Sequence, residues 1–211
     1  QHHHRSPIFF DIIEKILLMF QEDYNKYLTN TEIFNIFSFN KRIILFLLEH
    51  KIINMNHYIS DYLIKVTEEK NYFFNEINQF IINDDDSKKS IEKENKEIEP
   101  NPEIFEQNRK IGENTKDLCS IIRNDSIDEF IVYVNKKNIN LNTKIESNIF
   151  ETNWRLIENS PSLIEYASFF GSLQIFIHLR LNNVKMNPNL WIYAIHGENP
   201  EIIHLIEESN I

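Results

Sequence analysis

Between Pro7 and Ile82 the apolar positions recur at helical spacing. Ile8, Phe9, Ile12, Ile13, Ile16, Leu17 and Phe20 form one stripe, with Asp11, Glu14, Lys15 and Gln21 between them, the pattern of an amphipathic helix. Ser6 is placed to cap this helix, and Pro7 suits its first turn, where no backbone donor is needed. Ile33 to Phe39 predicts a short apolar helix. Lys41 to His50 predicts another, with Ile43, Ile44, Leu47 and Leu48 on one stripe. Tyr58 to Val66 and Tyr72 to Ile82 follow at the same period. No stretch alternates with period two for long enough to predict a strand.

Residues 83–102 break this pattern. They hold seven acids and four lysines and almost nothing to bury, so they read as a solvated linker. Ser87 and Ser90 offer a phospho-switch there, against the plainer reading of a solvated charged loop.

From Glu103 onward the chain is punctuated by proline. Five of the six prolines follow Ser or Asn, at Ser6-Pro7, Asn101-Pro102, Ser160-Pro161, Asn187-Pro188 and Asn199-Pro200. Each pair reads as an N-cap followed by proline at the first helical position. Ser126 to Glu129 reads as a capping box. Helices are predicted to open near 103, 116, 127, 161, 173, 188 and 200.

Three segments align on one another: LCSIIRNDSIDEFIVYV (118–134), LIEYASFFGSLQIFIHL (163–179) and LWIYAIHGENPEIIHLI (190–206). Each has an apolar first helix, a tight turn carrying Asp, Gly or Glu, and a second helix with paired aliphatics. Ala167 and Ala194 hold the mid-helix position where a small side chain lets two helices approach. In the middle copy Ser162 and Leu163 stand at the Thr-Pro of the pattern TPLHxAAxxGHxEVVKxLL. Ala167 and Ser168 stand at its paired Ala, Gly171 at its turn Gly, Ile175 and Phe176 at its paired Val, and Leu179 at a final Leu. The sequence therefore resembles the ankyrin repeat over Lys110 to Ile211. It looks most like the divergent ankyrin-repeat family expanded in flagellate protists, which carries a domain of unknown function. The resemblance implies an all-α fold of irregular ankyrin-type helix-turn-helix repeats, a solenoid, preceded by a helical N-terminal block. The expected organisation is 1–6 a tag remnant (His2 to His4) or disordered, 7–82 the N-terminal block, 83–102 the linker and 103–211 the repeats.

The departures from the pattern bear on the geometry. Ile164 and Glu165 stand where Leu and His should, and Ile121 stands where the first copy needs Ala. Aligned positions lie 46 residues apart (121 to 167) and then 27 apart (167 to 194), against about 33 in a regular array. Residues ~138–160 therefore read as an insertion, and the second interval is too short for a full hairpin finger. The last copy ends on an apolar helix with no polar capping repeat, so further repeats are expected beyond it. Lys41 to Asn54 looks like the second helix of one more degenerate repeat. The N-terminal block is thus either a worn repeat stack or a small helical bundle.

Composition narrows the function. Three glycines, Gly112, Gly171 and Gly197, never lie close together, which argues against the Gly-rich phosphate loops and nucleophile elbows of α/β enzymes. A net charge of −10 disfavours nucleic acid and polybasic membrane contact. The longest apolar run, Ile43 to Leu48, falls far short of the ~20 residues of a membrane span. Cys119 is the lone cysteine, so no internal disulfide is possible and a reducing compartment, cytoplasm or nucleus, is expected.

Candidate chemistry is thin. Cys119 lies on an apolar helix face, where a buried structural thiol competes with a nucleophile. His196 and His204 are separated by Gly197 and Pro200 and form no HExxH-type pair. His50, His57 and His178 stand alone, and Glu201, Glu207 and Glu208 read as a solvated helix face. No catalytic residue, cofactor or metal is expected. The ankyrin resemblance instead implies contact residues just before each turn, facing the groove: Arg123 and Asn124, Phe169 and Phe170, and His196. Phe169 and Phe170 would form an apolar patch for a partner, unless they pack against the insertion or the next repeat. Trp154 and Arg155 offer a second patch, unless the insertion folds back and buries Trp154. The expected function is a protein–protein interaction scaffold with another protein as partner. The rival is a structural module that self-associates end to end.

Overall fold

The computed structural model describes residues 7–65, 67–83, 101–209 and 211. Most of the expected linker (84–100, with Ser87 and Ser90) and the histidines at positions 2–4 lie outside them. Among the described residues the chain is helical, with one isolated bridge between Lys144 and Ser162 and no strand. The helices are α1 Pro7–Met19, α2 Gln21–Tyr27, α3 Asn30–Phe37, α4 Lys41–Glu49, α5 His57–Lys65, α6 Thr67–Tyr72, α7 Phe74–Asn83 and α8 Pro102–Ile111. They continue with α9 Asp117–Arg123, α10 Ile127–Lys137, α11 Trp154–Asn159, α12 Leu163–Phe169, α13 Leu173–Leu181, α14 Leu190–Gly197 and α15 Pro200–Glu208.

Most predicted starts fall within two residues of a helix N-terminus, but the caps differ in detail. Asn101 and Asn199 cap α8 and α15 as expected, each accepting two backbone N–H groups with proline at the first helical position. Ser160 and Asn187 do not. Ser160 lies in the left-handed region (φ 42°), and the Pro161 carbonyl accepts the Ile145 N–H at 2.7 Å, so Ser162 becomes the N-cap of α12. Asn187 instead shapes the turn before α14, its Oδ1 accepting the Asn189 N–H at 2.9 Å. Ser126 stands at the N-cap of α10 without a side-chain cap bond, so the box read there does not form. Real capping boxes form at Thr29/Glu32 and Ser162/Glu165.

The chain divides into two compact units. Of the described residues, one unit comprises those within 12–113 and Asn148–Trp154; the other comprises Asn114–Ser147 and those within 155–211, with 7–11. This moves α8 and part of the expected insertion out of the repeat region.

The first unit buries Ile33, Phe34, Ile44, Leu45, Leu47, Ile59, Tyr72, Phe73 and Phe105. Arg109 of α8 lies fully buried among them. Its guanidinium makes a bidentate pair with Glu76 at 2.7 and 3.0 Å, and Nη1 also donates to the Tyr72 carbonyl at 2.9 Å. The Tyr72 hydroxyl donates back to the Arg109 carbonyl at 3.0 Å. A buried cation needs such pairing; Nε alone makes no hydrogen bond to a described residue and faces Glu106 at 3.6 Å. Segment 148–154 is threaded into the same unit. Lys41 Nζ donates to the Ile149 carbonyl at 2.9 Å, Phe150 packs edge-on against Phe105, and Thr152 donates twice to the Gly112 carbonyl. Gly112 has φ 71°, and a Cβ there would meet Thr152 Oγ1 at 2.9 Å.

The second unit holds three helix pairs, α9/α10, α12/α13 and α14/α15, with α11 before the second. First helices pack on first helices (α9 on α12, α12 on α14) and second on second (α10 on α13, α13 on α15). Its core includes Cys119, Ile122, Phe130, Leu163, Ala167, Ile175, Phe176, Leu179, Leu190, Ala194, Ile202 and Ile206. Each pair turns on a left-handed residue: Asp125 (φ 52°), Gly171 (φ 63°) and Glu198 (φ 48°).

Candidate functional site

The candidate surface is built on the C-terminal ends of α9, α12 and α14. Arg123, Phe169 and His196 hold equivalent places in the three copies, at the intervals of 46 and 27 read above. Arg123 is half-buried. Its Nη1 donates to the Asn114 carbonyl at 2.8 Å and to the Tyr166 hydroxyl at 2.9 Å. The guanidinium lies 5.9 Å from the centre of the Phe170 ring, within cation–π range. Phe170 packs on Tyr166 and Phe169, and the Phe169 ring stacks with His196 at 5.2 Å and 34°. An aromatic spine thus runs from Arg123 to His196.

This overturns the expected apolar patch. Phe169 is 0 % and Phe170 3 % exposed, because α14 packs along α12 and covers Phe169, while Arg123 and Tyr166 cover Phe170. The two rings are core, and the repeat register could not reveal it. What remains at the surface is Asn124 at the end of α9 and His196 on α14. Beside His196 lie Ile195, 64 % exposed, and Ile192, 40 % exposed. Ile192, Ile195 and His196 share one face of α14 through the i, i+3 and i, i+4 relation. The sequence reading missed both isoleucines. Their signal was two isoleucines three apart flanking the buried Tyr193-Ala194 pair.

Trp154 and Arg155, the second patch read from the sequence, open α11. Trp154 is 49 % exposed, so the insertion does not bury it. Arg155 is half-buried in the first turn of α11.

Glu165, read as a departure from the ankyrin pattern, has a structural task. Its Oε2 accepts both the Ser162 N–H and hydroxyl at 2.8 Å, and its Oε1 accepts the Asn187 amide at 3.1 Å. The motif Ser-x-x-Glu at 162–165 was a legible signal for this. Burial first, and then the Glu165 charge, push the Tyr193 phenol pKa up, against an opposing pull from Arg155.

Cys119 is buried. His204 is exposed beside Glu207 and Glu208. Among the described residues no group of three or more His, Cys, Asp or Glu side chains is placed to hold a metal ion, and no helix is long and apolar enough to cross a membrane. No family model, curated protein or solved structure matches this chain.

Proposed function

We propose that this chain is a protein-interaction module of divergent ankyrin-type repeats, that it carries no catalysis, and that it works in the cytoplasm or nucleus. The observation that supports this reading is the tie between successive helix pairs. The turn of one pair caps or receives the next: Asp125 accepts the Gln174 and Ile175 N–H groups at 3.0 Å, the Ser172 hydroxyl donates to the Ile122 carbonyl at 2.6 Å, and the Asn199 amide donates to the Gly171 carbonyl at 3.0 Å. Each pair is too small to bury its apolar side alone, and stacking supplies the cover.

The end of α4 supports a worn repeat in the N-terminal block. After α4, α10 and α13 a left-handed residue (Lys51, Asn138, Asn183) is followed by an aliphatic whose N–H reaches back five residues: Ile52 to Leu47, Ile139 to Val134, Val184 to Leu179. This is the Schellman closure, repeated at all three helix ends.

The partner would meet Asn124, Ile192, Ile195 and His196. A partly apolar, partly polar strip of this kind suits a protein surface. The test is affinity capture from extract of the native cell, with the full chain as bait and an Ile195→Glu/His196→Glu variant as control. A protein retained by the native chain and lost with the variant is the expected result. Identical captured sets would overturn the assignment of this strip. Light scattering separates the rival: growth of particle mass with concentration would replace the scaffold reading with self-assembly.

A further inference from the structure

A separate feature lies at the entry of α12 and α14. Residues of these helices and of the connections before them line a cleft of about 410 Å3, among them Lys144, Glu165, Lys185, Asn187, Asn189 and Tyr193, within the size range of ligand sites. Its floor is fixed. The Glu165 carboxylate is buried and held by Ser162 and Asn187. One rim is pinned by the Lys185 N–H donating to Asn142 Oδ1 at 2.9 Å.

Against that fixed floor stand unused donors. Lys144 and Lys185 are exposed, and neither ammonium makes an ion pair with a described residue. The Tyr193 hydroxyl makes no hydrogen bond to a described residue, although most of the side chain is buried. A phenol is protonated at neutral pH, and burial raises the Tyr193 pKa further, so it offers a donor. In a chain of net charge −10, two unpaired lysines and a phenol around one cleft form a local site for a negative group.

We propose that this cleft binds an acidic peptide segment of a partner protein, with one Asp or Glu carboxylate held between Lys144 and Lys185 and hydrogen-bonded by Tyr193. Asn189 stands at the rim, where its carboxamide suits the donors and acceptors of a flanking peptide backbone. The Glu165 charge on the floor opposes a dianionic phosphate more strongly than a single carboxylate. No arginine lines the cleft to supply the planar fork that favours phosphate. The inference rests on the protein-binding reading but, apart from Tyr193's packing on Phe169, uses none of the side chains of the α9–α12–α14 strip. The two therefore fail separately.

The test is an NMR titration of the 15N-labelled full chain with an acetylated, amidated Gly-Glu-Glu-Gly peptide. Saturable shifts are expected at the amides of Asn187, Asn189 and Tyr193, with binding at least about tenfold weaker for Gly-Gln-Gln-Gly and for inorganic phosphate. A Lys144→Gln/Lys185→Gln variant should also lose at least about tenfold in affinity with its thermal melt unchanged. Lys136→Gln/Lys137→Gln, which changes net charge equally on exposed residues of α10, should bind as the native chain does. Tyr193→Phe keeps the ring and should weaken binding alone. Equal response to the Gln peptide would overturn the proposal, as would phosphate binding as tightly or no saturable shift up to about 10 mM peptide. If Ile195→Glu/His196→Glu abolishes protein capture yet leaves peptide binding intact, the cleft stands as a site of its own.

Discussion

The carboxylate of Asp125 caps α13 across 50 positions of sequence, accepting the Ile175 N–H at 3.0 Å as well as that of Gln174. Local caps come from the residue that opens the helix; this one comes from the turn of the preceding pair. Asp125→Ala should cost about 1–2 kcal/mol in urea unfolding, the range of a lost helix cap. Asp125→Asn should cost less, because Asn keeps one acceptor and tolerates the left-handed backbone. Equal loss in both variants would mean that charge at the helix start, not the hydrogen bonds, carries the effect.

Gly197 closes the contact between α12 and α14. A Cβ there would stand 1.9 Å from the Ser168 carbonyl oxygen, and backbone cannot swing aside as a side chain can. Gly197→Ala should therefore destabilise the packing of α14 on α12 by about 1–3 kcal/mol or more, despite the helix preference of Ala over Gly. A melting temperature equal to or above that of the native chain would contradict this packing.

Phe169 and His196 stack on each other, yet their substitutions should separate. Phe169→Ala removes a buried ring and should cost about 3–5 kcal/mol. His196→Ala, at an exposed position, should change stability by about 0.5 kcal/mol or less and act on partner capture instead. Chemical denaturation of both variants, followed by capture, reads the two effects.

Arg109 and Glu76 form a buried pair with side-chain exposures of 1 % and 20 %. Glu76→Gln leaves the guanidinium with only the partly exposed Glu106 carboxylate, 3.6 Å from Nε, and should cost up to about 3–5 kcal/mol. Arg109→Met together with Glu76→Met should recover much of that loss, since a well-packed apolar replacement removes both desolvation penalties. A double variant as unstable as the single one would show that the bonds of Arg109 and Tyr72 matter more than the ion pair.

Alkaline pH should loosen both units through their phenols. Burial first, only partly offset by the Arg109 charge, pushes the Tyr72 pKa well above the ordinary phenol value, and burial likewise raises that of Tyr193. The folded chain holds both neutral. Their contribution is complete below the unfolded phenol pKa of about 10 and is lost as pH rises through the raised folded value. Tyr72→Phe should flatten the loss of stability above about pH 10. Denaturation at several alkaline pH values, for the native chain and this variant, checks the sign.

The sequence by itself determined what depends on residues within one or two helical turns. The apolar stripes fixed the helices. Asn101-Pro102 and Asn199-Pro200 fixed two starts, and the turn residues Asp125, Gly171 and Glu198 fixed where the pairs reverse. These rest on caps, φ preferences and i, i+4 spacing, all complete within the local chain. Short α2, α6 and α11 escaped notice because so few residues carry no clear period. The tertiary structure decided what depends on which surface arrives. Phe169 and Phe170 look like a surface pair in the repeat register and become core once α14 lies on α12. Arg109 finds Glu76 33 positions away, and residues 148–154 join the first unit, where the Lys41 ammonium and the Gly112 carbonyl bond to them and Phe105 packs on Phe150. The sequence names the donors and apolar groups at such places, but their partners lie dozens of residues away, and only packing selects among the many that would fit.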